Sequence, residues 1–415
     1  MTQFRSVSEL NRRSLLALTA ASLSLAACGQ NTDAPETHIA VIGGGIIGAS
    51  TAYHLAKEGV KVTVLERGGL AERASRGTFA WINATWAKQP RTYHALNQAG
   101  VTGWTKLQTE LDIPVRWGGS LEWFSNADRQ ARLADQIAEQ VEWGEPAEML
   151  SRDAVAALEP NVAFGDADQV AYSPNDGAVD PVLATQKLVD AAVQLGATLM
   201  TNCAVESVTE KPNGRAVLNT SCGEIEVDKY VLATGADQNA TQTLAGIDIP
   251  QRTTPGVIVV TKPNAPLIER IIAAPGAHIH QRLDGRIVLG EQAGAPDTAA
   301  HAERLRARPN RFPAQAFADQ HAAQMMLIAE QFIPGILSAD VEDVFIGWRP
   351  LPVDGHPVLG VSPANSNAYL AIMHSGVSLA PIIGQVVARE IVSSQSAPEL
   401  AAYRPDRTFD EVRRY

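Results

Sequence analysis

The sequence predicts an α/β protein of two intertwined domains, one of them built on a parallel sheet flanked by helices. Three observations predict it. The chain has 415 residues, more than one compact core accommodates. A strand, a glycine-rich turn, a helix and a second strand follow one another between His38 and Glu66. Far downstream, "GVIVVTKP" (256–263), "AHIHQRL" (277–283) and "GRIVLGE" (285–291) read as short strands of a separate sheet, and 300–330, rich in Ala and Arg, reads as helical.

The first element is "HIAVI" (38–42), a short apolar run suited to a buried parallel strand. Gly43, Gly45 and Gly48 then spell G-x-G-x-x-G. Gly43 permits a tight turn, Gly45 lets the backbone approach a pyrophosphate, and Gly48 lets the new helix pack on the strand. The helix "IGASTAYHLAKEGV" (47–60) presents its N-terminal amides and positive dipole end to phosphates, with Ile46 and Ile47 as candidate contacts. The second strand, "KVTVLE", ends at Glu66, about 20 residues beyond the last glycine, as this fingerprint requires. A carboxylate there accepts hydrogen bonds from a ribose 2′-hydroxyl and repels a 2′-phosphate, which disfavours NADP. FAD and NAD both use such a unit, so the turn alone does not choose between them.

Composition excludes some partners. Hydrophobic residues make up 45% of the chain and charged ones 19%, as in ordinary globular proteins. The net charge of −11 disfavours nucleic acid, because phosphate neutralisation needs clustered Lys and Arg. Cys28, Cys203 and Cys222 are the three cysteines, and no pair has metal-ligand spacing, so no metal site is expected. Cys203 and Cys222 are either a disulfide or two buried thiols.

The N-terminal stretch reads as an export signal. Arg5, Arg12 and Arg13 precede a mostly apolar run, 15–27, too short to span a bilayer and of signal-peptide length. It ends "LAAC" (25–28), which resembles the bacterial lipobox and implies lipidation of Cys28. The alternative is an amphipathic or buried helix, but the run lacks 3.6 periodicity and meets a polar linker abruptly. Arg12-Arg13 resembles a twin-arginine signal, although Asn11 and Leu15 depart from its usual pattern; a general secretory signal tolerates the pair as well. A twin-arginine route exports folded, cofactor-loaded proteins. That reconciles a cytoplasmic cofactor with a lipoprotein tethered on the periplasmic side.

Several segments in fixed order carry a family resemblance: "RGGLAERASRGTFAWINA" (67–84), "GAVDPVLATQKLVDAAVQLGATL" (177–199), "VDKYVLATGA" (227–236), "GWRPLPVDGHPVLG" (347–360) and "MHSGVSLAPIIGQVVAREI" (373–391). Together with the glycine turn they resemble the FAD-dependent D-amino acid oxidase superfamily, which includes glycine oxidase, sarcosine oxidase and D-amino acid dehydrogenase. The resemblance covers Ile39 to about Val392 and is not specific to one substrate. It implies FAD and a set of contacts: Glu66 and Arg67 after the second strand, Ser75 and Arg76 in "ASR", Val205 at the adenine, Gly235 under the adenosine, and Gly376, Val377, Ser378 and Leu379 at the pyrimidine end. Locally, "ASR" also reads as an N-cap with a solvated Arg, and Val205 and Gly235 as strand-end packing. Arg349 of "GWRP" is implied to hold a substrate carboxylate, a task that suits a planar fork. Its alternative is a pair with a protein carboxylate such as Asp354. His374 either polarises the flavin or caps a turn. His278 and His280 alternate on one strand and either face the site or serve as core or surface residues. Asp180-Pro181 reads as the N-cap and first position of a scaffold helix.

The resemblance also implies the fold: a Rossmann-like FAD-binding domain with an inserted α+β antiparallel-sheet substrate domain. The expected boundaries are a signal over 1–27, a linker over 28–36, an FAD-binding domain over 37–94, 172–249 and 347–395, a substrate domain over 95–171 and 250–346, and a tail over 396–415. No Cys follows Cys222 and no His lies between His54 and His94, where covalently flavinylated relatives place their link. Non-covalent FAD is therefore expected. The implied reaction oxidises the C–N bond of a small amino acid or related carboxylate-bearing amine by hydride transfer to flavin N5. Oxygen or a respiratory acceptor then takes the electrons. The alternatives are a 2-hydroxy acid dehydrogenase and a non-catalytic FAD-binding lipoprotein.

Overall fold

The computed structural model describes residues 37–292 and 309–412. The export-signal and lipidation readings, Cys28 included, lie outside the described residues, as does the 300–308 part of the expected helical region.

The strand His38–Ile42 pairs in parallel with Lys61–Leu65 on one side and Lys229–Leu232 on the other. These are central strands of a six-stranded sheet whose order is Val358–Ser362, Asn365–Ile372, Lys229–Leu232, His38–Ile42, Lys61–Leu65, Thr198–Met200. Only the hairpin formed by its first two strands is antiparallel. Strand alternation divides the sheet between two cores. Ile39, Val41, Val62, Val64 and Val231 face a helical layer. Ala40, Ile42, Leu65, Tyr230 and Leu232 face a small antiparallel sheet, Val205–Glu210, Ala216–Thr220 and Gly223–Val227. The helical layer contains Ile46–Lys57, Pro181–Gln194, Gly376–Ser393 and Arg91–Leu111. Asp180 caps the helix Pro181–Gln194, its Oδ1 accepting from the amides of Val182 (2.9 Å) and Leu183 (3.1 Å).

A second, eight-stranded sheet has the order Val341–Pro352, Gln251–Pro263, Arg286–Glu291, Ala277–Gln281, Ile271–Ala274, Ser120–Glu122, Gln169–Ser173, Glu148–Ser151. It is antiparallel except where Ile271–Ala274 meets Ser120–Glu122. The three strands expected from 256–291 are all in it. The helix Gln315–Glu330 buries Ala318, Ala322, Met325, Met326 and Ala329 on it, against Val257, Val259 and Ile279.

Both sheets belong to one compact unit beginning at Thr37, and the expected boundaries cut through its elements. The position 172 falls inside Gln169–Ser173, and 347 inside Val341–Pro352, both strands of the antiparallel sheet. The position 94 falls inside Arg91–Leu111, whose partner is the helix Gly376–Ser393. That helix pair meets closely: a Cβ on Gly100 would lie 2.2 Å from Ser378 O, and Trp104 Nε1 donates to Val377 O at 2.7 Å. The strand Thr198–Met200 is followed by Asn202 in the left-handed region (φ 52°).

Candidate active site

One cavity of about 1390 Å³ runs through the unit, lined by the glycine turn and by Arg349 among others. That exceeds the ~300–1,000 Å³ typical of sites for drug-sized ligands, leaving room for a dinucleotide together with a small substrate.

At the turn, glycine is required by contact. Gly43 adopts φ +117°, and a Cβ there would lie 2.4 Å from Ala233 O. A Cβ on Gly48 would lie 1.9 Å from Gly43 O, so only glycine lets the helix pack this close to the strand. Gly45 and Ile46 sit against Ser75, whose Oγ accepts from Ile46 N at 3.0 Å. The Glu66 carboxylate holds the loop, Oε2 accepting from Gly44 N (2.6 Å) and Oε1 from Gly68 N (2.9 Å). A carboxylate has about four lone-pair sites, so acceptor capacity remains for a ribose hydroxyl. Gly43, Gly45, Ile46, Ile47, Glu66, Arg67, Ser75, Val205 and Gly235 all line the cavity. Arg67 pairs with Asp237. Cys203 lines it too and is buried, whereas Cys222 is exposed; both are free thiols, so the expectation of two buried thiols is half wrong.

Three expected contact residues do not line it. Arg76 points outward, donating from Nη2 to Asp343 Oδ2 at 2.9 Å over the Phe345 ring, which matches the solvated-Arg alternative. Gly48 is scaffold, and Leu379 is fully buried in the helical core.

The helix Gly376–Ser393 starts at the cavity, with Gly376, Val377 and Ser378 in the lining. Ser375 precedes it at φ +60°, its Oγ 2.9 Å from His374 Nδ1, and His374 also faces the cavity. Ser378 Oγ donates to Trp81 O and accepts from Asn83 N, both at 3.0 Å, and so ties the helix to the aromatic segment.

The far end gathers charged and aromatic side chains. Arg349 sits opposite Thr254 in the antiparallel sheet. A Cβ on Gly256 would lie 2.8 Å from its Nη2, so the missing side chain makes room for the guanidinium to lie along the strand. Among the described residues no carboxylate lies within 4 Å of Arg349. Asp354, weighed as its partner, is held instead by Arg407 (Nε–Oδ2 2.8 Å). Gly347 crosses Gly77 so closely that a Cβ would meet Gly77 O at 2.0 Å. This explains the glycine of "GWRP". Phe79, Trp81, Trp86, Phe124 and Trp348 form apolar walls.

Sequence reasoning missed two acids here. Asp176, 1% exposed, accepts from Trp81 Nε1 (2.9 Å), Ser120 Oγ (2.7 Å), Ala84 N (3.3 Å) and the Thr85 hydroxyl, and fixes the aromatic segment. Glu122 faces the cavity and accepts from Trp86 Nε1 at 2.5 Å. Burial pushes its carboxyl up to about 8, so it is largely protonated at neutral pH. The two histidines divide. His280 is buried and holds Phe79 O at 2.9 Å. His278 lines the cavity with its Nε2 buried and without a hydrogen-bond partner. Burial first, then the charges of Arg349 and Arg129, lower its pKa to about 3, so the ring is neutral.

Comparison with known proteins agrees with this geometry. The family described as FAD dependent oxidoreductase, DAO, matches residues 38–390. Glycine oxidase of Bacillus licheniformis is 28% identical over 378 residues, covering 88% of this chain and 96% of that protein. An opine oxidase component of Agrobacterium tumefaciens is 26% identical over 384 residues, covering 89% and 96%. The crystal structure of glycine oxidase from Geobacillus kaustophilus superposes with a TM-score of 0.79 at 23% identity, covering 90% and 100%. A glycine turn that only glycine can make, opening on a cavity sized for a dinucleotide, thus has its explanation: the chain belongs to the DAO family of FAD dependent oxidoreductases, an enzyme whose cofactor is FAD.

Proposed function

We propose that the enzyme oxidises the C–N bond of a small amino acid or related carboxylate-bearing amine, and that Arg349 holds the carboxylate. The observation that carries this is a guanidinium laid along Gly256, facing the cavity, with no carboxylate within 4 Å among the described residues. A planar fork binds a carboxylate in bidentate fashion and stays charged when buried. The relatives named for glycine and opine oxidation support the amine class.

The residues fit FAD. Amides of Gly45 and Ile47 at a helix N-terminus suit the pyrophosphate, with Ser75 on the Ile46 amide beside them. Glu66 suits the ribose, Val205 and Gly235 the adenosine, and Gly376 to Ser378 the flavin ring. When bound, FAD supplies the acceptor for the hydride leaving the substrate α-carbon. Arg349 fixes the carboxylate and so orients that carbon. The aromatic walls exclude water. His278, neutral, offers one ring nitrogen to the substrate. His374 stands beside the helix N-terminus, whose positive end favours negative charge on the reduced ring. The imine product then hydrolyses in water to a keto acid and ammonia or an amine.

FAD is held without a covalent link, and oxygen or a respiratory acceptor reoxidises it. The enzyme is exported and tethered on the periplasmic side through lipidated Cys28, its only membrane attachment. The test is anaerobic bleaching of the bound flavin by amino acids, N-methyl amino acids and 2-hydroxy acids. Bleaching by amines alone is the expected result. Bleaching by hydroxy acids alone would move the enzyme to that substrate class, and no bleaching would leave FAD a structural group.

A further inference from the structure

We propose that the substrate carries two carboxylates, and that Arg129, backed by Arg132, binds the one that Arg349 does not. This rests on the reading of Arg349 above and adds the class of the rest of the substrate.

The helix Ala127–Glu142 runs along the cavity. Its Arg129, Arg132 and Gln136 all line it, at i, i+3 and i+7, which is one helical face. The residues Leu133, Ile137 and Gln140 bury the adjoining face. Over that spacing the polar stripe extends roughly 10 Å along the cavity, at about 1.5 Å per residue.

The arginines of this stripe lack carboxylate partners among the described residues. Arg67, Arg282, Arg286 and Arg407 each sit against a carboxylate. Among the described residues, Arg129 and Arg132 have none within 4 Å, in a chain whose net charge is −11. Arg129 is half-buried and Arg132 exposed at the cavity wall, and unpaired cations there attract anions to an otherwise acidic protein. Arg129 is also held in place: its guanidinium stacks on the Phe124 ring, 4.1 Å from the centroid. Stacking leaves the fork's edge donors free for a carboxylate.

Arg129 and Arg349 border one chamber. His278 lies within electrostatic reach of both. His278 itself lines the cavity, between the two charges. An amine linking two carboxylate arms would then lie between Arg129 and Arg349, beside a neutral His278. Two acids also face this chamber. Glu122 is largely protonated at neutral pH and so does not neutralise Arg129. Glu291 is not within 4 Å of either arginine and lies 3.9 Å from His321; it feels the charge of Arg349. A single carboxylate on Arg349 would leave Arg129 without an anion; a diacid amine satisfies both.

The test uses FAD-loaded protein and titration calorimetry with ligands that cannot be oxidised as amines: thiodiacetate, in which sulfur replaces the amine, against (methylthio)acetate, which has one carboxylate. A second charge-assisted contact predicts binding about 10- to 100-fold tighter for the diacid. Arg129→Gln should erase that advantage and leave (methylthio)acetate affinity unchanged. Turnover should follow, with iminodiacetate and N-(carboxyalkyl) amino acids preferred over sarcosine. Equal binding of the two thioethers by the unmodified enzyme would overturn the proposal, as would an Arg129→Gln loss that falls on both alike. If Arg129→Gln fails to hold FAD, the ligand pair on the unmodified protein and on Arg132→Gln decides. Failure of the underlying reading is distinct: Arg349→Ala would then leave the binding of both thioethers unaltered.

Discussion

Single residues set what the cavity accepts. Arg349→Ala should leave FAD bound and its spectrum nearly intact while kcat/KM for a carboxylate substrate falls roughly 30- to several thousand-fold, the equivalent of about 2–5 kcal/mol for one truncated partner of a buried charge pair. Arg349→Lys should recover only part, because an ammonium lacks the fork. Steady-state kinetics beside a flavin spectrum checks both. Glu122 makes a pH prediction. Its folded pKa, raised to about 8 by burial, lies above the ordinary carboxyl value, so the unfolded chain releases that proton first. Stability from this group is present below the ordinary carboxyl range and is lost as pH rises through about 8. The neutral His278 and His280, each lowered to about 3 chiefly by burial, act in the opposite direction: their contribution is lost as pH falls from 6.5 toward 3. Glu122→Gln keeps an acceptor for Trp86 and removes the ionisation. The decline of Tm between pH 6 and 8 should therefore flatten in that variant, by thermal unfolding across buffers, while the acid-side decline stays. The arginine of "GWRP" was legible because its neighbours in sequence mark it. Glu122, Asp176 and the arginine stripe were not, because a carboxyl or guanidinium in a short strand or an amphipathic helix looks the same whether it faces water or a cavity.

At the scale of elements, the strand–turn–helix unit was read closely. The strand 38–42 falls where spacing puts it, and the helix starts at Ile46, one residue before the expected start. Membership of the antiparallel sheet is less legible, because strand partners such as Gln169–Ser173 and Val341–Pro352 are chosen by tertiary packing. Arg91–Leu111 joined the helical layer through Gly100 and Trp104, a fit that no local pattern announces. Two glycines give opposite predictions. Gly256→Ala would push a methyl against the movable end of Arg349, 2.8 Å away, so KM for the carboxylate substrate should rise with FAD retained. Gly347→Ala would push one against Gly77 O at 2.0 Å, backbone that cannot step aside. It should cost about 1–3 kcal/mol of stability, the usual penalty of overpacking. Paired Tm and kinetic measurements separate the two; a Gly256→Ala variant that loses stability instead of affinity would refute the role given to that glycine.

For the whole molecule, the cofactor should act as a stabiliser. FAD at 100 times its Kd adds about 2.7 kcal/mol by mass action if only the folded chain binds it. Tm should therefore climb with added FAD, and acid precipitation should release all flavin to the supernatant; flavin left in the pellet would reject a non-covalent site. Replacing both Arg12 and Arg13 by Lys should stop delivery of flavin-loaded protein to the periplasm, as read by cell fractionation. Delivery unchanged would reject the twin-arginine route and leave lipidation to be tested by Cys28→Ala.

The strand order of the parallel sheet has a consequence for biosynthesis. Ile39 pairs with Lys229, and Tyr230 pairs in turn with Ala368, so neighbours in space are made far apart in time. While the ribosome is still producing the middle of the chain, the glycine turn has neither Ala233 behind it nor the helix Gly376–Ser393 across from it. A nascent chain thus has no finished place for flavin, and loading must wait until almost the last residues have emerged. A ribosome-stalled chain ending at residue 360 should remain colourless in excess FAD, whereas the released full-length chain should turn yellow.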